Sequence, residues 1–330
     1  MAGVRRTRNW ILAIATVGVL GGAGLVGVDM MRNDSGGAAP PRVGTFSESG
    51  AKSDSESAAK SGNEAGARSE NEGGATPTPT APDPAKLAAQ EQAKRVKALD
   101  AALKKYATTV PEFSVAVLDR DTGRRYSFRG TEKYETASVV KVQVLACLLL
   151  KAQDARRDLT ATELSLAKRM IRLSDNDATT SLFSKLGRAS GLSACNKRLG
   201  LTETKVSGSW GLTRTTVNDQ VRLLSELVDQ KGPLDAGSRK LAYTLMSTVD
   251  QSQDWGVPAA AQAGEKFTVK NGWLARSTEN YRWIINSVGR ITGPGTDVSI
   301  AVLSHDNATM SSGITVVQKV AKLTRQHLMY

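Results

Sequence analysis

One stretch decides the fold of this chain: Tyr134-Glu-Thr-Ala-Ser-Val-Val-Lys-Val-Gln-Val-Leu-Ala-Cys-Leu-Leu-Leu150. Its almost uninterrupted apolar residues predict a helix that is buried on nearly every side. Thr136 is a typical N-cap residue, which places Ser138 in the first turn and leaves Lys141 as the one charge within the apolar run. The stretch therefore combines a core helix with two reactive side chains at its start.

The spacing of Ser138 and Lys141 is typical of an activated nucleophile. Residues three apart share a helix face, so the Lys141 amine can reach the Ser138 hydroxyl. An apolar wall removes water from a lysine and lowers its pKa, while a helix N-terminus offers unpaired N–H groups that favour negative charge. Together these features indicate a serine that attacks carbonyl groups.

The bare Ser-x-x-Lys pattern is weak evidence, because it recurs at Ser49–Lys52, Ser57–Lys60 and Ser165–Lys168. The copy at Ser138 differs in its context, with a pair of predicted strands before it and an apolar helix after it. The alternative interpretation is that Lys141 marks a solvated edge of a core helix, and only further matching residues elsewhere in the chain argue against it.

The first 32 residues predict a cytoplasmic stub and a membrane anchor. Arg5, Arg6 and Arg8 precede the uncharged stretch Trp10–Val28, which is close to the roughly 20 residues that cross a bilayer as a helix. The arginines favour a cytoplasmic N-terminus and an exported remainder. A cleaved signal peptide is the alternative, and it would make the protein secreted. We favour the uncleaved anchor, because no small-x-small cleavage site and no cysteine for lipid attachment follow it.

Residues 33–83 are rich in Ser, Gly, Ala, Glu and Pro and predict a disordered linker. The remaining segment, 84–330, carries 36 basic and 23 acidic side chains, which suits anionic cell-wall polymers or lipid headgroups. The exported topology and the lack of an aromatic and basic reader motif argue against nucleic acid. We expect one domain over residues 84–330, held away from the membrane by the linker.

The two cysteines, Cys147 and Cys195, leave their pairing open. A disulfide is compatible with an exported protein, but Cys147 lies in the apolar run and can equally be a small core residue. We favour unpaired thiols. No cluster of His, Cys or carboxylate residues has the spacing of a metal site, so neither a metal nor another cofactor is predicted.

The order of predicted elements indicates an α+β domain. Strands over 113–119 and 124–128 come first, a block of helices follows, and three further strands are predicted over 267–273, 281–291 and 296–304. We expect a five-stranded antiparallel sheet flanked by helices, together with a mainly α-helical lobe. Further helices are predicted over 86–109, 160–173, 177–186, 213–228, 241–249 and 311–329. A cleft between sheet and lobe is the expected ligand site.

Two more short motifs follow the Ser138–Lys141 pair. Ser174-Asp-Asn176 lies at a predicted helix end, and Lys270-Asn-Gly272 lies within a predicted strand. In these three motifs, taken in order, residues 85–330 resemble the class A β-lactamase and D,D-peptidase superfamily of penicillin-recognising serine enzymes. Each motif alone is weak, whereas the three in order between matching elements are more specific.

The resemblance implies a β-lactamase/transpeptidase-like fold and a serine hydrolase that forms an acyl-enzyme with a β-lactam or a D-Ala-D-Ala-like cell-wall peptide. Ser138 would be the nucleophile and Lys141 would take its proton. Ser174 would pass a proton to the leaving nitrogen, and Lys270 would bond to Ser174 and keep the site positive.

The resemblance also implies the substrate-binding residues. Asn176 would hold the amide side chain of the substrate, and Gly272 would let a substrate strand lie close. The backbone N–H groups of Ser138 and Trp273 would form an oxyanion hole. Arg282 would pair with a substrate carboxylate, although an arginine at a strand end is more often a solvated surface residue.

The chain departs from the class A pattern in three places. The segment 200–213 lacks the Glu-x-x-Leu-Asn motif that positions the deacylating water, and its one acid is Glu203. Asn271 replaces the usual Thr or Ser, so an amide would take the place of a carboxylate-binding hydroxyl. The spacing from Ser138 to Ser174 is also short, which predicts an open site. We therefore expect slow deacylation, and the alternative is a catalytically weak or inactive wall-binding or sensor protein.

Overall fold

A computed structural model of the chain describes residues 83–330. The predicted anchor in residues 1–32 and all of the predicted linker except Asp83 lie outside the described residues. Asp83 caps the first helix, because its side chain accepts a hydrogen bond from the Ala85 N–H at 2.9 Å. None of the helices within 83–330 is both long enough and apolar enough to cross a bilayer.

The centre of the domain is a five-stranded antiparallel sheet, as the sequence predicts. Its strand order, which the sequence analysis did not address, is β2-β1-β7-β6-β5. A separate two-stranded ladder joins β3 to β4. The strands are β1 (Phe113–Asp119), β2 (Arg125–Phe128), β3 (Tyr134–Glu135), β4 (Arg214–Thr215), β5 (Lys266–Arg276), β6 (Arg282–Gly293) and β7 (Thr296–Asn307).

Eight α-helices surround the sheet in the described part of the chain. They are α1 (Pro84–Ala107), α2 (Val140–Asp154), α3 (Ala161–Arg172), α4 (Asn176–Lys185), α5 (Arg188–Arg198), α6 (Val217–Glu226), α7 (Ala236–Met246) and α8 (Met310–Leu328). This arrangement confirms the predicted α+β fold.

The sheet separates two apolar cores because side chains alternate along each strand. In β1, Val115 and Val117 pack with α1 and α8, whereas Ala116 and Leu118 pack with the helices of the lobe. Helix α2 lies in the second core, with every residue from Val140 to Leu150 buried. This confirms the prediction that the apolar run forms a core helix.

The start of α2 differs from the prediction. A 3₁₀ turn over Ala137–Val139 precedes the helix, and the Thr136 side chain makes no capping bond to it. The Thr136 hydroxyl instead lies 3.4 Å from the Gly211 carbonyl oxygen of a neighbouring loop. Ser138 therefore lies in a tight turn ahead of the helix, where tertiary contacts determine the backbone.

A disulfide joins Cys147 to Cys195, so the expectation of unpaired thiols was wrong. It connects α2 to α5, a helix that the sequence analysis did not predict. Helix α5 is polar and contains glycine, which weakens its helical pattern. Gly191 is required there, because a Cβ atom would lie 1.7 Å from the Leu186 carbonyl oxygen.

Candidate active site

The turn that carries Ser138 is held by strand β6 of the sheet. The Asn286 side chain on β6 is fully buried and donates to the carbonyl oxygens of Glu135 and Thr136 at 2.9 and 3.0 Å. Ala137 has a φ of +45°, which is strained for a residue with a Cβ atom. These contacts hold the backbone around Ser138 in a conformation that the local sequence does not favour.

Gly272 on β5 lies directly against the same turn. A Cβ atom at this position would be 2.8 Å from both the Ser138 nitrogen and the Thr136 carbonyl oxygen, and 2.9 Å from the Val139 nitrogen. The sequence analysis assigned Gly272 to the close approach of a substrate strand. In the structure, Gly272 allows β5 to lie close to the backbone that carries Ser138.

The Lys141 amine is buried and bonded to the second motif. Its Nζ atom lies 2.6 Å from the Ser174 carbonyl oxygen, 3.1 Å from Ser174 Oγ and 2.9 Å from Asn176 Oδ1. No hydrogen bond joins Lys141 to Ser138 within residues 83–330, so the direct contact that the helical spacing allows is not formed. The 3₁₀ turn ahead of α2 alters the geometry on which that expectation depended.

The surroundings of Lys141 favour its neutral form. Burial lowers its pKa to about 7, and the charge of Asp175 raises the pKa by a smaller amount. The Trp210 ring contributes to this burial, since its centroid lies 5.0 Å from Nζ and its indole N–H donates to Thr180 Oγ1 at 3.2 Å. A lysine with this pKa can accept a proton at neutral pH.

A second buried lysine approaches Ser174 from the sheet. Lys270 Nζ lies 3.0 Å from Ser174 Oγ and 2.9 Å from the Asn271 carbonyl oxygen. Burial and the charge of Lys141 lower the pKa of Lys270 well below its usual value. The Ser174 hydroxyl thus lies between two lysine nitrogens, in a geometry that allows a proton to pass between them.

Ser174 and Asn176 are presented by the junction of α3 and α4. Ser174 has a φ of +57°, and Asp175 caps α4 by accepting from the Ala178 N–H at 2.8 Å. An ion pair with Arg169 holds the same Asp175 carboxylate. The cap and the ion pair fix this junction, so both polar side chains face Lys141.

A cavity of about 410 Å³ opens in front of Ser138. Asn176, Trp210 and Trp273 line it, and none of its lining residues in the described part of the chain is acidic. The Glu203 carboxylate, the one acid of the segment 200–213, accepts from Thr216 at 2.9 Å and lines another cavity. Among residues 83–330, no carboxylate therefore lines the cavity where it could activate water at Ser138.

The structure does not bring two predicted substrate-binding residues to this cavity. The Asn271 side chain is buried away from it and donates to the carbonyl oxygens of Gln253 and Trp255 at 2.7 and 2.9 Å, because these loop groups need a donor. Arg282 pairs with Asp306 at 2.9 Å and lines a separate cavity. Neither side chain can take the role that the resemblance implies without leaving its partner.

Three residues near the site were missed in the sequence analysis. Asn286 holds the turn that carries Ser138, Trp210 covers Lys141, and Arg188 lines the cavity. A polar Asn within the apolar strand 281–291 and a Trp between Gly208 and Gly211 were the available signals. Arg188 had no distinguishing signal, since its helix was not predicted.

Comparison with known proteins places the whole of this domain in one family. The family model described as the β-lactamase enzyme family matches residues 93–163 and 162–328. The protein named "Putative lipoprotein LppW" of Mycobacterium bovis and of Mycobacterium tuberculosis is 30% identical over 213 residues, which cover 61% of this chain and 67% of the relative.

Solved structures show the same fold. An ancestral class A β-lactamase of Gram-negative bacteria superposes with a TM-score of 0.60 at 21% identity, covering 69% of this chain and 99% of that chain. A β-lactamase from Xanthomonas campestris gives a TM-score of 0.62 at 19% identity, covering 71% of this chain and 98% of that chain. At these identities the likeness concerns the fold. By the family match and the relatives together, the chain belongs to the β-lactamase enzyme family.

Proposed function

We propose that this protein is an exported serine hydrolase that forms an acyl-enzyme on Ser138 with β-lactams or with D-Ala-D-Ala-type cell-wall peptides. The observation that carries the proposal is the Ser174 hydroxyl, held between Lys141 and Lys270 beside the cavity that Ser138 lines. Lys141 and Lys270 are buried, have lowered pKa values and form no ion pair with a residue that the structure describes. Such an arrangement is energetically unfavourable, and such groups concentrate at functional sites.

Acylation begins when Ser138 Oγ attacks the substrate carbonyl carbon and its proton passes to neutral Lys141. Hydrogen bonds of this kind are often long before substrate binds and tighten in the complex. The backbone N–H groups of Ser138 and Trp273 stabilise the oxyanion. The C–N bond then breaks, and the leaving nitrogen takes its proton from Ser174, which recovers one from Lys141.

Deacylation in this proposal is slow. Hydrolysis of the ester on Ser138 needs a water molecule and a base that activates it. The cavity-lining residues in the described part of the chain include no carboxylate, and Trp210 covers one side of Lys141. The acyl-enzyme therefore accumulates, as in an enzyme whose acylation by penicillin is faster than its deacylation.

A second candidate is a catalytically weak or inactive wall-binding or sensor protein that keeps the fold. Two observations favour it: Lys141 has its hydrogen bonds to Ser174 and Asn176 rather than to Ser138, and Asn271 is turned away from the cavity. In this case the cavity would bind a ligand without forming a covalent bond.

Export is supported by the disulfide, which is typical of oxidising compartments. The mycobacterial relatives are named as lipoproteins. Both cysteines of this chain lie in the disulfide, so we propose that residues 10–28 attach the protein to the membrane and leave its C-terminal domain outside the cell. The excess of basic side chains in residues 84–330 supports contact with anionic wall polymers.

The test is to label the full-length protein in detergent with a fluorescent penicillin and then to follow a chromogenic cephalosporin. Ser138→Ala is the test variant. Ser165→Ala is the matched control, because Ser165 belongs to the same Ser-x-x-Lys pattern on α3, outside the cavity. We expect stable labelling that only Ser138→Ala abolishes, with little cephalosporin turnover. Rapid turnover would indicate an efficient β-lactamase, and no labelling of the folded wild type would favour the binding protein.

A further inference from the structure

The cavity in front of Ser138 continues along one face of α4. Asn176, Thr180, Phe183 and Ser184 all line it, and their spacing places them on a single helical stripe. At 1.5 Å per residue, the stripe runs about 12 Å from the end beside Lys141 to the far end. A ligand attached to Ser138 can therefore extend along α4.

The far end of this stripe carries a positive charge. Arg188 begins α5, is exposed, and is the one charged side chain among the cavity-lining residues that the structure describes. Within residues 83–330 it makes no ion pair or side-chain hydrogen bond, in contrast to Arg276, Arg282 and Arg290, which each pair with a carboxylate. Its guanidinium is free to bind an anion from solution.

The neighbouring polar groups suit the same kind of ligand. Ser184 and Ser209 line the cavity, are exposed, and donate no side-chain hydrogen bond within the described residues. Hydroxyl groups and a guanidinium together bind a carboxylate well, because a guanidinium can donate two parallel hydrogen bonds to its oxygens. No lining residue with a negative charge opposes such a ligand.

We propose that Arg188 binds a carboxylate on the acyl side of the substrate, so that the substrate is an acidic peptide or its β-lactam mimic. An extended peptide advances about 3.4 Å per residue, so a carboxylate at the far end of the roughly 12 Å stripe belongs about three to four residues from the carbonyl that acylates Ser138. This inference rests on the proposed function, because it assigns the substrate class of the same cavity.

The experiment compares two penicillins that differ at one end only. One carries an adipoyl side chain with a free terminal carboxylate. The other carries the same side chain, but its terminal group is a carboxamide. Their acylation rate constants are measured on the full-length protein by competition with a fluorescent penicillin. The variants are Arg188→Gln and Arg188→Glu. The matched control is Arg156→Gln, because Arg156 is also exposed, has a φ of +51° and does not line the cavity.

We expect the carboxylate probe to react about fivefold faster than the carboxamide with the wild type and with Arg156→Gln. The preference disappears in Arg188→Gln and reverses in Arg188→Glu. Equal rates of both probes in the wild type, or a preference that survives both Arg188 variants, would overturn this inference while leaving the proposed function intact. If neither probe acylates the folded wild type, the proposed function fails, and this inference fails with it.

Discussion

Two cavities of this domain differ in how the charged side chains around them are paired. The larger, about 870 Å³, is lined by residues that include Glu112, His305, Arg282 and Asp306. Two pairs of its side chains are in contact: Arg282 bonds to Asp306 at 2.9 Å, and His305 lies 3.5 Å from Glu112. Acidic and basic side chains therefore lie side by side in this cavity.

The smaller cavity, in front of Ser138, has the opposite arrangement. Neither Lys141 nor Lys270 forms an ion pair within residues 83–330, although both are fully buried. An uncompensated buried lysine destabilises a fold, so its presence needs another explanation. Volume alone therefore does not single out the proposed site, whereas two buried lysines without an ion pair in the described residues, beside a strained turn, do.

The largest effect is expected from Lys141→Met. Removing the base should lower the rate of penicillin labelling by about a hundredfold or more, because the described residues that line the cavity include no carboxylate, histidine or lysine that could take the Ser138 proton instead. Lys133→Met is the matched variant in the larger cavity and should change the rate less than twofold. The labelling rate of both variants is measured from reactions stopped at a series of times. Thermal unfolding checks that both variants are folded. Equal losses in the two variants would remove the distinction between the cavities.

The next effect concerns the backbone contact at Gly272. Gly272→Ala places a methyl group 2.8 Å from two backbone atoms of the turn that carries Ser138, so the turn or β5 must move. We expect a loss of about 2 kcal/mol in the free energy of unfolding and at least a tenfold loss in labelling rate. Gly237→Ala meets only an ordinary contact at 3.5 Å and should be neutral or slightly stabilising. Denaturant titration measures the free energy of unfolding of both variants. A Gly272→Ala variant as stable as the wild type would show that the turn does not depend on the close approach of β5.

A smaller effect is expected in the pH dependence. The labelling rate of the wild type should rise with pH and level off above a midpoint near 7, because Lys141 must be neutral and burial lowers its pKa to about 7. Trp210→Ala should move the midpoint upward by about one pH unit, since water that reaches Lys141 favours the ammonium form. The substitution also removes the cation–π contact, which stabilises the ammonium form of Lys141 by about 0.5–2 kcal/mol. This loss lowers the pKa and so acts against the upward shift.

Trp210→Phe keeps most of the apolar cover and serves as the control for this shift. Its midpoint should stay closer to that of the wild type. A midpoint in Trp210→Ala that is unchanged or lower would contradict the role of this ring as the cover of Lys141. Rate measurements at a series of pH values, on protein shown to be folded at each, distinguish these outcomes.

The smallest effect is expected for Arg282→Met. The resemblance assigns Arg282 to the substrate carboxylate, whereas the structure pairs it with Asp306 in the larger cavity. We expect a change of less than twofold in labelling rate and of less than about 1 kcal/mol in stability, because the pair is solvent-exposed. A tenfold loss of labelling would restore the original assignment.

The fold was predictable from sequence because its elements have strong local patterns. The apolar run after Ser138, the alternating strands and the motif order all follow from periodicity and short-range signals, and the structure agrees with them. Helix α5 was missed because its polar residues and glycine give no clear stripe. The disulfide was predicted wrongly because its partner, Cys195, lies on that missed helix.

The contacts of the candidate site were predictable only in part. Lys141, Ser174 and Lys270 meet in one hydrogen-bonded cluster, and three motifs in a known order pointed to them. Ser138 lines the neighbouring cavity without a hydrogen bond to Lys141 in the described part of the chain. The direction of the Asn271 side chain depends on loop carbonyl groups far away in sequence, and the bonds of Lys141 depend on the junction of α3 and α4. Long-range partners of this kind leave no local pattern.

The most direct test of the central claim is intact-protein mass spectrometry after incubation with benzylpenicillin. We predict an adduct with the mass of one penicillin, located on the peptide that contains Ser138 and persistent long after free penicillin is removed. Ser138→Ala should give no adduct. A folded wild-type protein that forms no adduct, or one that carries the adduct on another residue, would contradict the account.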